Sequence, residues 1–259
     1  MTWLDRGWQI FAPESGVLDW LKTAAPAAIE ASRDHHARAE WLRCDGTWFV
    51  GVDTLPNDPS GKIGNSGPLD CAALDAAQKV SGVLPLHKGQ VSAAYPGYPK
   101  RGPEESKGAY KFRRVRDAAH VDGMRPAGNA RRRFLNEPHA WILGLPVTEC
   151  GQGASPLVVW EGSHEIIRHR LNAILQQHQP EKWGRIDMTA TYQAARREVF
   201  ETCRRIELPG IPGEAHLIHR LAVHGMAPWI NGSVAPVEGR VVVYFRPHLN
   251  QISDWLKLP

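Results

Sequence analysis

Short apolar runs constrain this chain more than any other feature. Residues 140–147, 156–160 and 240–246 each have strand length, and Arg240-Val-Val-Val-Tyr-Phe245 is rich in β-branched and aromatic side chains. Residues 47–53, 90–95 and 214–224 read as further strands. Helical spacing is confined to 14–33, with Pro26 the point where that helix would break or restart, and to 70–81, 165–178 and 189–204. Pro, Gly, Asn and Asp mark 54–67 as a loop, and 96–109 is expected to be another, long enough to serve as a lid or binding loop. Many short strands with peripheral helices predict a mainly β fold of antiparallel jelly-roll type. No repeat or linker divides the chain. One domain over 1–259 is expected, with a mixed helical region at 1–87 and a β core at 88–250 interrupted by a helical insertion at 165–205.

Composition narrows the function classes. Thirty-one basic against 27 acidic residues give a formal charge of +4, too mild to argue for nucleic acid. Cys44, Cys71, Cys150 and Cys203 are scattered and form no CxxC pair, so neither a zinc ribbon nor a disulfide framework is indicated. There is no secretory signal pattern and no bilayer-length apolar stretch, which makes a cytoplasmic protein the expectation. Twelve histidines are a high count, and histidine is the commonest metal ligand.

Three elements carry candidate chemistry. In His120-Val121-Asp122, a histidine and a carboxylate at i and i+2 share one face of a strand and can reach one metal ion. In His216-Leu-Ile-His219-Arg-Leu-Ala-Val-His224, His224 stands at the end of an apolar run, where its side chain can point into a barrel mouth. His219 has the opposite strand parity, so on one regular strand only one of the two can face that cavity; a hydrogen-bonded interior histidine is the alternative for each. Arg240 opens an apolar strand, so its charge must reach solvent or meet an anion. Two histidines and one carboxylate on one side of a metal form the facial triad of non-haem iron(II) oxygenases, whose open positions accept a 2-oxo acid and dioxygen.

This ordered set resembles the phytanoyl-CoA dioxygenase family. The matching stretches are His120-Val-Asp122, Pro156-Leu-Val-Val-Trp-Glu-Gly-Ser-His164, Pro212-Gly-Glu through His224-Gly225, and Arg240-Val-Val-Val-Tyr-Phe245, together covering roughly 88 to 250. The resemblance implies a double-stranded β-helix (jelly-roll, cupin-like) barrel. It also implies iron(II) held by His120, Asp122 and His224, and 2-oxoglutarate anchored by Arg240. Trp141 falls where an aromatic residue often lies near the oxoglutarate, His164 is implied to be structural, and His219 is not a ligand. Asp122 stands where related halogenases carry a small residue, which favours hydroxylation. The sequence departs from the pattern in a separation of 16 positions between His224 and Arg240, with extra residues at 229–236, and in Val242, where some relatives have a hydroxyl residue.

The expected activity is hydroxylation of a small molecule by dioxygen, with 2-oxoglutarate decarboxylated to succinate. Lys111, Arg113, Arg114 and Arg116 before the metal pair, and Arg125, Arg131, Arg132 and Arg133 after it, point to an anionic substrate or to a solvated basic surface. Two rival readings remain. A cupin-like metal protein without oxygenase activity would recruit His216 or His219 as a further ligand. A non-enzymatic module would bind an anionic partner through the Arg131–Arg133 region and hold no metal.

Overall fold

The β-branched runs pair as antiparallel ladders, in a computed structural model that describes all 259 residues. In chain order the elements are α1 (Trp3–Arg6), β1 (Trp8–Phe11), α2 (Ser15–Arg33), α3 (His35–Trp41), β2 (Leu42–Arg43), β3 (Trp48–Gly51), α4 (Ala72–Ser81), β4 (Gln90–Ala94) and α5 (Lys107–Val115). There follow β5 (Met124–Ala127), β6 (Arg132–Leu135), β7 (Trp141–Pro146), β8 (Leu157–Trp160), α6 (Ser163–Leu175), a 3-10 turn (Pro180–Arg185) and α7 (Thr189–Thr202). The chain closes with β9 (Arg205–Leu208), β10 (Ala215–His219), β11 (His224–Met226), β12 (Arg240–Phe245) and α8 (Asp254–Lys257). A seven-stranded sheet, ordered β1-β10-β7-β12-β4-β3-β2, faces a three-stranded sheet ordered β11-β8-β9, and β5 and β6 form a separate hairpin. Every pairing is antiparallel. The first 87 residues contribute β1, β2 and β3 to the large sheet, so its strands are not confined to 88–250.

Strand alternation divides the large sheet into two faces. The register pairs Val242 with Pro146 and Ser92, and Tyr244 with Gly144 and Gln90, while His216 lies opposite Gly144. These residues, with Arg240, Ile142 and Ile218, therefore share one face. Ile142 and Ile218 pack there against Leu157, Val159 and Leu208 of the small sheet, so this is the face between the sheets. The opposite face carries Val91, Ala93, Leu143, Leu145, Leu217, Val241 and Val243 and packs under α2 and α4 through Val17, Trp20, Leu21, Leu74 and Ala77. Burying each such aliphatic side chain contributes about 1.5–3 kcal/mol.

Several sequence expectations need correction. Helix α2 runs unbroken through Pro26, which is exposed, so the carbonyl deprived of its donor faces water while Ala24 and Ala28 stay buried on either side. The expected loop 96–109 ends in helix α5, capped by Ser106 Oγ accepting from the Ala109 amide at 3.1 Å. The expected strand 214–224 is two strands in different sheets. Between them Arg220 is fully buried, donating to the carbonyls of Trp255 at 2.8 Å and of Leu258, and this capture turns the chain.

Candidate metal centre

His120 is joined to His224 by reciprocal backbone bonds of 2.8 and 3.0 Å, an isolated bridge that adds one residue pair to the edge of the small sheet. The two histidine rings then stand 4.6 Å apart. Asp122 lies in the turn that follows. Gly123 makes that turn possible with φ +85°, and a side-chain carbon on it would sit 2.2 Å from the Glu137 carbonyl. Gly225 is required for the same reason of space, because a Cβ there would lie 2.1 Å from the Asp117 carbonyl. The buried Tyr192 hydroxyl accepts from the Val121 amide at 2.9 Å and pins the residue between the two ligand candidates.

The outcome is a convergent donor set. The ligand atoms of His120, Asp122 and His224 all lie within 4.8 Å of one another. Asp122 Oδ1 is 3.1 Å from His120 Nε2 and 3.7 Å from His224 Nε2. On the far side of each ring Nδ1 lies 3.0 Å from a backbone carbonyl, that of Ala118 for His120 and of Ala222 for His224. Those carbonyls accept only if the ring proton sits on Nδ1, which leaves both Nε2 lone pairs free for a cation. Burial alone would raise the Asp122 pKa, but the Arg246 guanidinium and His224 outweigh it and hold the carboxyl well below its usual range. Burial likewise pushes His224 down, while the Asp122 charge and hydrogen bond push it up further, so its pKa ends raised. Two neutral imidazoles and one ionised carboxylate oxygen suit a divalent transition metal and leave coordination positions open. The His120 side chain is 46% exposed, so the trio is accessible from solvent.

Arg240 projects from the face between the sheets and is 6% exposed. No carboxylate pairs with it, and its one polar contact is Nη1 to Met226 Sδ at 3.9 Å, two residues beyond His224. A buried guanidinium without a counterion implies an anion still to come. Trp141 lies elsewhere. Its parity on β7 is opposite to that of Gly144 and Pro146, which puts it on the outer face, where Nε1 donates to Ser81 Oγ of α4 at 3.1 Å. It is therefore not beside Arg240.

His216 and His219 stay apart from the trio. His216 lies on the face between the sheets, buried and 3.8 Å from Glu214, and His219 packs on the opposite side against Trp3 and His164. His164 is wholly buried with Nε2 bonded to the Leu4 carbonyl at 2.8 Å, a structural position.

One residue that sequence reasoning passed over is Arg246. It donates from Nη1 to Asp122 Oδ2 at 3.1 Å and from Nη2 to Gln90 Oε1. The available signal was its even spacing from Arg240, which puts it just past the end of β12 in register with the same face. Within the basic cluster, Arg113 pairs with Glu105, Arg125 with Glu137 and Arg132 with Asp187, whereas Arg114, Arg116 and Arg133 stack on Tyr110, Phe200 and Tyr192.

No known-family profile and no curated protein matches this chain in sequence. Among solved structures it is similar to the non-heme α-ketoglutarate dependent carbocyclase SnoK from nogalamycin biosynthesis, with a TM-score of 0.50 and 12% identity over 97% of this chain and 85% of SnoK. It also matches EctD from S. alaskensis with bound Fe (TM-score 0.48, 15% identity, 95% of this chain and 74% of EctD). A third match is AviO1 from Streptomyces viridochromogenes Tue57 (TM-score 0.45, 17% identity, 96% and 93%). At 12% identity the likeness to SnoK speaks for the fold alone, which in this chain is an antiparallel β frame carrying peripheral helices.

Proposed function

We propose that this protein is an iron(II)- and 2-oxoglutarate-dependent dioxygenase of the phytanoyl-CoA dioxygenase type, built as one domain on a jelly-roll frame, that hydroxylates a small-molecule substrate. The observation that carries the reading is the pairing of the His120–Asp122–His224 trio with a buried, counterion-free Arg240 between the same two sheets. A metal-binding protein without oxygenase activity has no need of such an arginine, and neither His216 nor His219 joins the trio as that rival requires. SnoK, with the same frame, is itself α-ketoglutarate dependent.

Bound to the trio, iron(II) would activate dioxygen at the expense of 2-oxoglutarate, which leaves as succinate. The chain's own residues hold and orient. His120 and His224 present Nε2 because Ala118 and Ala222 fix the opposite nitrogens. Asp122 would supply one oxygen, and Arg240 would receive the distal carboxylate of 2-oxoglutarate, for which its guanidinium fork is suited. Ile142, Ile218, Leu157 and Val159 keep the neighbouring interior dry.

The substrate is proposed to carry an anionic group. Nine of the 31 basic residues but only four of the 27 acidic ones lie between 105 and 137, so this stretch carries +5 and the remainder of the chain −1. The whole positive excess flanks the metal pair on α5 and the β5–β6 hairpin. Four free cysteines suit the reducing cytoplasm as its place of work.

The test is anaerobic titration of the metal-free protein with iron(II) and 2-oxoglutarate, following the visible charge-transfer band of the chelate. The band should form in the wild type and weaken in Asp122→Ala and Arg240→Ala. Failure of the wild type to bind iron(II) would sink the oxygenase reading.

A further inference from the structure

Arg246 is held more firmly than an ordinary surface arginine. Its backbone amide donates to His87 Nε2 at 2.7 Å and its carbonyl lies 2.9 Å from His139 Nδ1. Its side chain is 19% exposed and is gripped at both ends of the fork, by Asp122 Oδ2 and by the buried Gln90. The contact with Asp122 is one-sided. Oδ2 faces Arg246, while Oδ1 faces both imidazole Nε2 atoms. A carboxylate free to turn can give a metal one oxygen or two. Given two, it fills a position that a two-point ligand such as a 2-oxo acid also requires.

We infer that Arg246, braced by Gln90, is a positioning residue that engages Asp122 Oδ2 so that only Oδ1 is offered to the metal, which keeps open the positions the 2-oxo acid uses. The inference rests on the proposed metal-centre reading. The planar fork matters as well as the charge, because one guanidinium reaches Asp122 and Gln90 together and an ammonium on a flexible stem cannot fix both. Outer partners of metal ligands commonly change affinity at such sites by about 10–100-fold when removed.

The experiment uses the full chain with cobalt(II) as the metal probe. The ligand-field spectrum is recorded anaerobically, and 2-oxoglutarate is then titrated onto the cobalt protein. The variants are Arg246→Met, Arg246→Lys and Gln90→Leu, each with its melting temperature. Arg246→Met should alter the cobalt spectrum and weaken 2-oxoglutarate at least tenfold. Arg246→Lys should recover part of both, and Gln90→Leu should move both in the same direction by less. A cobalt spectrum and oxoglutarate affinity unchanged in Arg246→Met, with only the melting temperature lowered, would reduce the ion pair to a packing contact and overturn the inference. If Arg246→Met does not fold, unchanged spectra and affinities in the other two variants overturn it equally. Wild-type protein that takes up no cobalt overturns the metal-centre reading and this inference together, whereas a wild type that binds cobalt with unaffected variants removes the inference alone.

Discussion

Replacing Arg240 with methionine should make the free protein more stable and, on the proposed anchoring role, weaken its binding of 2-oxoglutarate. The guanidinium is 6% exposed and meets only the Met226 sulfur, 3.9 Å away. Partial desolvation of an ion that has no counterion is unfavourable, and methionine fills a similar volume without that cost. A gain of even ~1–2 kcal/mol raises the melting temperature of a chain this size by roughly 2–8 °C. The loss in binding comes from two charge-assisted hydrogen bonds of about 1.5–3 kcal/mol each, so affinity should fall by roughly 10²–10⁴-fold. Differential scanning fluorimetry of the metal-free variant gives the first quantity, and calorimetric titration of 2-oxoglutarate onto cobalt-loaded protein gives the second. A variant that melts lower than wild type and binds 2-oxoglutarate equally well would refute the reasoning, because Arg240 would then be satisfied by the fold itself.

Three further outcomes follow from the geometry. Gly225→Ala drives a Cβ to 2.1 Å from the Asp117 carbonyl, so the His120–His224 bridge should open, with a loss of about 2 kcal/mol or more and of metal binding, read by melting curves and cobalt titration. Tyr192→Phe leaves the buried Val121 amide without its acceptor, which should cost about 1–3 kcal/mol in denaturant unfolding and loosen the metal pair. Acid should destabilise the metal-free protein below pH 6.5. Burial lowers the pKa of His87, His164, His216, His219 and His248, so the unfolded chain takes up protons near 6.5 that the folded chain refuses, at up to about 1.4 kcal/mol per group per pH unit and less for the more exposed His248. His224, raised by Asp122, acts in the opposite sense: its contribution is present below its unfolded value and lost as pH rises through its folded one. One such group does not offset five, and a melting temperature that holds constant from pH 7 to 5 would contradict this account.

The strands legible in the sequence were those whose apolar content is decided locally. β7, β8 and β12 stand within one or two residues of the expected runs, because β-branched side chains buried on both faces leave little else for them to do. The run 214–224 misled because no glycine or proline marks its turn. What breaks it is Arg220 reaching carbonyls of α8, a contact between residues far apart in the chain. At the site, His120 and Asp122 do converge, though through a bridge and a tight turn rather than through strand alternation. Trp141 could have been assigned to the outer face only with the register of β7 against β12 in hand, since parity within one strand says nothing about which face looks inward.

The placement of the two anchors on opposite sheets has a consequence for ligand length. The trio hangs on the edge of the small sheet and Arg240 rides on the large one, so the span between them is fixed by how closely Ile142 and Ile218 seat against Leu157, Val159 and Leu208. The hydrophobic core thus acts as a calliper. On the proposed reading a diacid held at both ends would be measured by it, and the shorter oxaloacetate and the longer 2-oxoadipate are expected to bind more weakly than 2-oxoglutarate. Trimming Leu157 or Ile218 should therefore reset the gap and, on the proposed reading, the length of diacid that fits it.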